Sequence, residues 1–175
     1  MPGIAFVLAR RAALQASEGW ARSVSLDLVA QWRGFESSGQ FRFTPPTHVV
    51  LAFAEALREL EEEGGIEVRR DRYQSNHVAL MAGMHSLGFR PVLSPALASP
   101  IIASFHTPQD ARFNFEQFYT RLAERGLIIY PGKLAKIDSF RIGTIGHLFP
   151  ADVDDLLKEI ASALAAMQVV LLLNR

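Results

Sequence analysis

Apolar residues recur with two different periods along the chain, and the change of period marks its organisation. The opening Gly3-Ile4-Ala5-Phe6-Val7-Leu8-Ala9 is nearly continuous in apolar residues, the pattern of a strand buried on both faces. A chain that begins inside such a strand reads as starting in the middle of a longer fold. Residues 10–15 read as a short helix, 22–32 fits a strand and a helix equally, and 36–40, with two serines and a glycine, reads as a loop. Pro45-Pro46 stops whatever precedes it, and Thr47 is placed to cap the helix that follows. That helix carries Val50, Phe53, Ala54, Leu57 and Leu60 on one face, and Gly64-Gly65 ends it. A longer helix over 66–87 has Tyr73, His77, Leu80, Met84 and Leu87 at helical spacing, with Gly88 as its terminator.

From Phe89 onward short apolar runs alternate with amphipathic segments. Strands are predicted at 91–93, 101–105, 127–130 and 139–144. A helix over 114–125 presents Phe115, Phe118, Tyr119 and Leu122, and a last one from Pro150 presents Val153, Leu156, Leu157, Ile160 and Leu164. Strands mixed with one-sided helices predict a two-layer α/β arrangement.

Composition narrows the function more than the fold. The 175 residues carry 18 basic and 18 acidic side chains, so the electrostatic surplus needed for sequence-independent nucleic-acid binding is missing. There is no cysteine, which excludes thiolate metal sites and cysteine nucleophiles. The most apolar stretch, 163–173, falls short of the roughly 20 residues of a membrane span. A cytoplasmic protein with no secretory signal is the expectation. The five histidines form no chelating pair, so no metal site is predicted and each reads as structural or surface histidine. No P-loop, G-x-G-x-x-G or G-x-S-x-G is found. The acidic run Glu59 to Glu63 reads as a solvated helix end, and Asp154 with Lys158 as an ordinary i,i+4 pair.

Two segments stand apart. Phe41-Arg42-Phe43-Thr44-Pro45-Pro46-Thr47-His48 brings hydroxyls and a cation to a stiffened loop feeding a helix N-terminus, a natural seat for phosphate. The alternative is that prolines and threonines only start a helix. Phe140-Arg141-Ile142-Gly143-Thr144-Ile145-Gly146 places an arginine inside an apolar, strand-like run. A guanidinium there needs a partner: a substrate carboxylate or phosphonate taken bidentately, an internal acid, or water at a sheet edge.

Together with R-S-V-S-L-D-L-x-x-Q-W over 22–32 and Tyr130-Pro131-Gly132-Lys133, these segments resemble the 2-aminoethylphosphonate–pyruvate aminotransferases. That family lies within the class V pyridoxal-phosphate (PLP) aminotransferases. R-I-G-x-x-G is shared across much of class V; R-F-T-x-P-T-H with the other two motifs narrows the resemblance to the phosphonate branch.

The resemblance implies the C-terminal part of a fold type I α/β architecture: 1–65 a remnant of the large PLP-binding domain, 66–88 a connecting helix, 89–175 the small domain. It implies a homodimer that moves the amino group of 2-aminoethylphosphonate to pyruvate, giving phosphonoacetaldehyde and alanine. Thr44 matches a threonine that helps hold the cofactor phosphate across the dimer interface, and Arg141 the arginine that binds the substrate's anionic group. Family members are about twice as long, and their Schiff-base lysine stands upstream of the residues matching Pro2-Gly3. Of the three lysines, Lys133, Lys136 and Lys158, none matches it. No catalytic residue is therefore assigned, and the 175 residues are expected not to turn over alone. Two other readings stay open: an interaction module that completes a split aminotransferase, and a fragment of a related alanine/serine–glyoxylate-type enzyme.

Overall fold

A computed structural model of the protein describes residues 3–132 and 137–171. The chain divides into two units, Met1–Glu62 and Glu63–Arg175.

The first unit is helical: α1 (Arg11–Ala16), α2 (Leu28–Ser38) and α3 (Thr47–Glu62). The ambiguous 22–32 stretch resolves at Asp27, whose side chain accepts from the Ala30 amide at 2.9 Å and caps α2. The predicted loop at 36–40 is overtaken by α2, which runs to Ser38; the serine hydroxyls bond back to the Gly34 carbonyl at 3.1 and 2.9 Å. Gly39 then stops the helix in the left-handed region (φ 68°).

Two further expectations fail in this unit. Residues 3–9 form no strand and Phe6, Val7 and Leu8 are exposed, since the unit's described residues hold no other strand to take up their backbone groups. Thr47 is the first residue of α3 rather than its cap; the Pro46 carbonyl accepts from Val49 and Val50 at 2.9 and 3.1 Å. Val50, Phe53 and Leu57 remain over a third exposed. The stripe was read correctly as a helix face, but among the described residues of this unit only Val29 is buried.

The second unit has a true core. Helix α4 (Gly65–Ser86) is followed by β1 (Ile102–His106), α5 (Phe115–Ala123), β2 (Tyr130–Pro131), β3 (Ser139–Gly143) and α6 (Pro150–Ala166). The three strands form an antiparallel sheet in the order β1-β3-β2. The predicted strand at 91–93 survives as one bridge, Pro91 to Phe105, flanked by the bonds Val92 N–H to Ser104 and His106 N–H to Arg90, both 2.9 Å. The 127–130 strand shrinks to Tyr130–Pro131.

Strand alternation sends Ala103, Phe105, Phe140 and Ile142 to one face, where they meet Leu80 and Met84 of α4, Phe118 and Leu122 of α5, and Ile160 and Leu164 of α6. The result is two layers, helices against one sheet face. Phe140 is the hub: its ring centroid lies 5.5 Å from Phe89, 5.8 Å from Phe105 and 5.7 Å from Phe118. Phe140→Ala is expected to cost about 3–5 kcal/mol, measured as the shift of a urea unfolding midpoint.

Candidate functional site

Phe140 and Ile142 bury on the helix side of β3, so Arg141 between them must project from the opposite face. It is half-buried, and its Nε donates to the Pro131 carbonyl at 3.3 Å. No carboxylate among the described residues pairs with it, which removes the internal ion pair from the three alternatives for this arginine.

The segment that follows is pinned at both ends. Thr144 is buried; its hydroxyl donates to the Pro100 carbonyl at 3.0 Å and its amide to Ile101 at 2.9 Å. Beyond it, Arg72 of α4 donates from Nη1 to the carbonyls of Gly146 and Leu148 at 2.6 and 2.9 Å. Its Nε meets Glu63 at 2.6 Å, and the guanidinium lies 5.1 Å from the ring centres of both Tyr73 and Phe149. Asn76 adds a 2.8 Å bond to Leu148. Sequence reasoning missed this clamp. It also misread Glu63, which is the anchor of Arg72 and Arg69 rather than a solvated charge.

The Arg72 guanidinium holds the Glu63 carboxyl down at about 2, well below the ordinary carboxylate range. A carboxyl with a depressed pKa contributes stability above its unfolded value and loses it as pH falls through the folded one. The Arg72 Nε–H, which donates to Glu63 at 2.6 Å, is therefore expected to stay protected from exchange with solvent down to about pH 3 and to lose that protection approaching pH 2; loss already at pH 5 would contradict the clamp.

Gly132 explains the glycine of Y-P-G-K. Its amide donates to the Ser139 carbonyl at 2.8 Å, and a Cβ there would stand 2.1 Å from that same oxygen. Gly132→Ala is expected to break the β2–β3 junction beside Arg141, seen as loss of amide protection at Tyr130 and Arg141. Lys133 and Lys136 lie outside the described residues, as do tail residues 172–175. Lys158 pairs with Asp155 at 2.8 Å, three residues back, rather than with Asp154.

Thr44 belongs to the first unit. It is exposed and, with Gly39 to Phe43 and Pro45, lines an open hollow of about 670 Å³. Arg42 lines it too: its Nη1 donates to the Val24 carbonyl at 3.0 Å and reaches Asp27 only at 3.9 Å. A hydroxyl and an incompletely neutralised guanidinium on one hollow form a donor set that suits phosphate. Arg141 and Thr44 lie in different units.

The remaining histidines keep the structural reading where the geometry speaks. His77 is buried on α4, burial pushes its pKa below the usual histidine value, and its Nδ1 has no partner among the described residues. Among the described residues no helix is long and apolar enough to cross a membrane.

The fold is similar to that of solved aminotransferases. The chain aligns with pyridoxamine–pyruvate aminotransferase of Mesorhizobium loti at a TM-score of 0.78 and 21% identity, over 94% of this chain and 43% of that one. With alanine–glyoxylate aminotransferase of Nostoc sp. the TM-score is 0.75 at 19% identity, over 90% and 42%. No family model matches. By sequence the chain is a relative of the 2-aminoethylphosphonate–pyruvate transaminases. It is 53% identical over 165 residues both to the enzyme of Salmonella paratyphi C (strain RKS4594) and to that of Vibrio vulnificus (strain YJ016). Those matches cover 94% of this chain and 45% of each relative, so the chain spans less than half the length of the curated relatives it matches.

Proposed function

We propose that this chain forms the C-terminal portion of a PLP-dependent transaminase that takes the amino group of 2-aminoethylphosphonate and gives it to pyruvate. The observation that carries the reading is Arg141: a guanidinium without an acid partner among the described residues, fixed on the helix-free face of a braced sheet. Pairing there with the anionic end of the donor fixes where the amino end lies, which is what an amino transfer requires of the protein. Thr44, with Arg42 beside it, holds the cofactor phosphate through its hydroxyl. PLP, when bound, supplies the electron sink for the exchange. The catalytic lysine comes from sequence other than these 175 residues, whose three lysines match none of the family position.

The same proposal takes 1–65 as part of the large domain, 66–88 as the connecting helix and 89–175 as the small domain, in a cytoplasmic homodimer acting in phosphonate breakdown. Exposed Phe6, Val7 and Leu8 favour a second reading, in which the chain completes a split enzyme by docking a separate N-terminal portion.

The test is complementation. The chain is co-expressed with the portion of the Salmonella paratyphi C relative that the match leaves uncovered, and alanine formed from pyruvate is measured. The expected result is alanine with 2-aminoethylphosphonate as donor, and none from the 175 residues alone. Alanine from the lone chain, or a complemented assembly that prefers serine with glyoxylate, would overturn it. In that assembly Thr44→Ala is expected to raise the PLP concentration needed for half-maximal activity about tenfold, the loss of one charge-assisted hydrogen bond.

A further inference from the structure

The strand register places more than Arg141 on the helix-free face. Directly opposed residues in an antiparallel sheet share a face, with Cβ atoms about 4.5–5.5 Å apart. Ser104 opposes Arg141 on one side and Tyr130 opposes it on the other. The three make one row across β1, β3 and β2, hydroxyl, guanidinium, hydroxyl. Tyr130 is half exposed and Ser104 is half-buried.

Two further observations point to a ligand for this row. Tyr130, though half exposed, approaches β3: its ring carbon Cε2 comes within 3.9 Å of the place a Cβ would take on Gly143, the next residue of β3 on the same face as Arg141. A glycine at 143 thus leaves room for the ring along β3. The other residues that the register assigns to this face, Ile102, His106, Ser139 and Gly143, include no acid. The face is cationic, rich in donors and free of any competing carboxylate.

We infer that Ser104 and Tyr130 are specificity residues that make the Arg141 seat selective for a tetrahedral phosphonate over a planar carboxylate. This rests on the reading of Arg141 as the anion grip. A carboxylate has two oxygens, and the bidentate guanidinium satisfies both. A phosphonate has three oxygens and two negative charges, and a third oxygen needs donors outside the guanidinium plane. The register puts one hydroxyl-bearing residue opposite Arg141 on each flanking strand, as a source of those donors.

The test uses the 175-residue chain and two probes, methylphosphonate as its dianion and acetate, with binding followed by amide NMR shifts. The wild-type chain is expected to bind methylphosphonate at least about fivefold more tightly than acetate, with the largest shifts at Ser104, Tyr130 and Arg141. Tyr130→Phe and Ser104→Ala are each expected to weaken methylphosphonate about threefold to tenfold and to leave acetate within about twofold, the loss of one hydrogen bond to a charged group. Both are conservative changes at positions outside the core, so the amide spectrum reports whether the fold is kept. A methylphosphonate-to-acetate ratio unchanged in the double variant would overturn the inference. So would a wild-type chain that fails to bind methylphosphonate on the order of 10 mM. Arg141→Met separates the two levels of the argument. If it abolishes both probes while the hydroxyl variants change nothing, only the specificity assignment fails. If both probes still bind, the reading of Arg141 fails with it.

Discussion

Arg141→Ala will abolish alanine formation in the complemented transaminase while leaving the fold intact. The side chain contributes one 3.3 Å bond to Pro131 and no ion pair among the described residues, so its removal releases no buried acid and opens no core cavity. On the proposed function, what it removes is the charge that meets the substrate. Truncating one partner of a buried, hydrogen-bonded charge pair costs about 2–5 kcal/mol, so with the donor seated on Arg141 the expected loss is on the order of 10² to 10³-fold in kcat/KM. Arg141→Lys keeps the charge but not the fork, and is expected to recover only part of that loss. Steady-state kinetics with 2-aminoethylphosphonate check both variants, with the urea midpoint of the second unit as control. A variant that keeps its kcat/KM would show that the donor's anion is bound elsewhere.

Arg72→Met will have the opposite signature, a large loss of stability at a residue remote from the chemistry. The Arg72 side chain is only 9% exposed and satisfies Glu63 together with the carbonyls of Gly146 and Leu148. Methionine fills much of the volume but donates nothing, leaving a carboxylate and two carbonyls short of partners. Losing the charged donor of such a partly buried cluster costs about 1–3 kcal/mol. The expected result is a lower urea midpoint of the second unit, whose 146–148 carbonyls lose the Arg72 donor. A midpoint within about 0.5 kcal/mol of wild type would mean that these bonds are replaced by water at no cost.

Much of the second unit was legible because its elements carry their own period. The α5 and α6 stripes and the Ser139–Gly143 strand were found from spacing, and their apolar faces form the observed core around Phe140. The first unit was harder for a physical reason. Its apolar run at 3–9 and the Val50, Phe53, Leu57 stripe announce burial, yet a sequence pattern says only that a face is apolar and not what covers it. Arg141 stood out as one cation in an apolar strand. Its neighbours did not, because Ser104 and Tyr130 join it only through register, which no local pattern encodes. The Arg72 clamp was out of reach for the same cause: its carbonyl partners lie 74 and 76 residues away in sequence and look like any other loop.

The most direct test of the whole account is a crystal structure of the complemented transaminase with PLP and 2-aminoethylphosphonate. The account predicts the Arg141 guanidinium within about 2.7–2.9 Å of two phosphonate oxygens and the Thr44 hydroxyl on the cofactor phosphate. A donor whose anionic end lies on other residues, with Arg141 turned to a protein carboxylate, would contradict it.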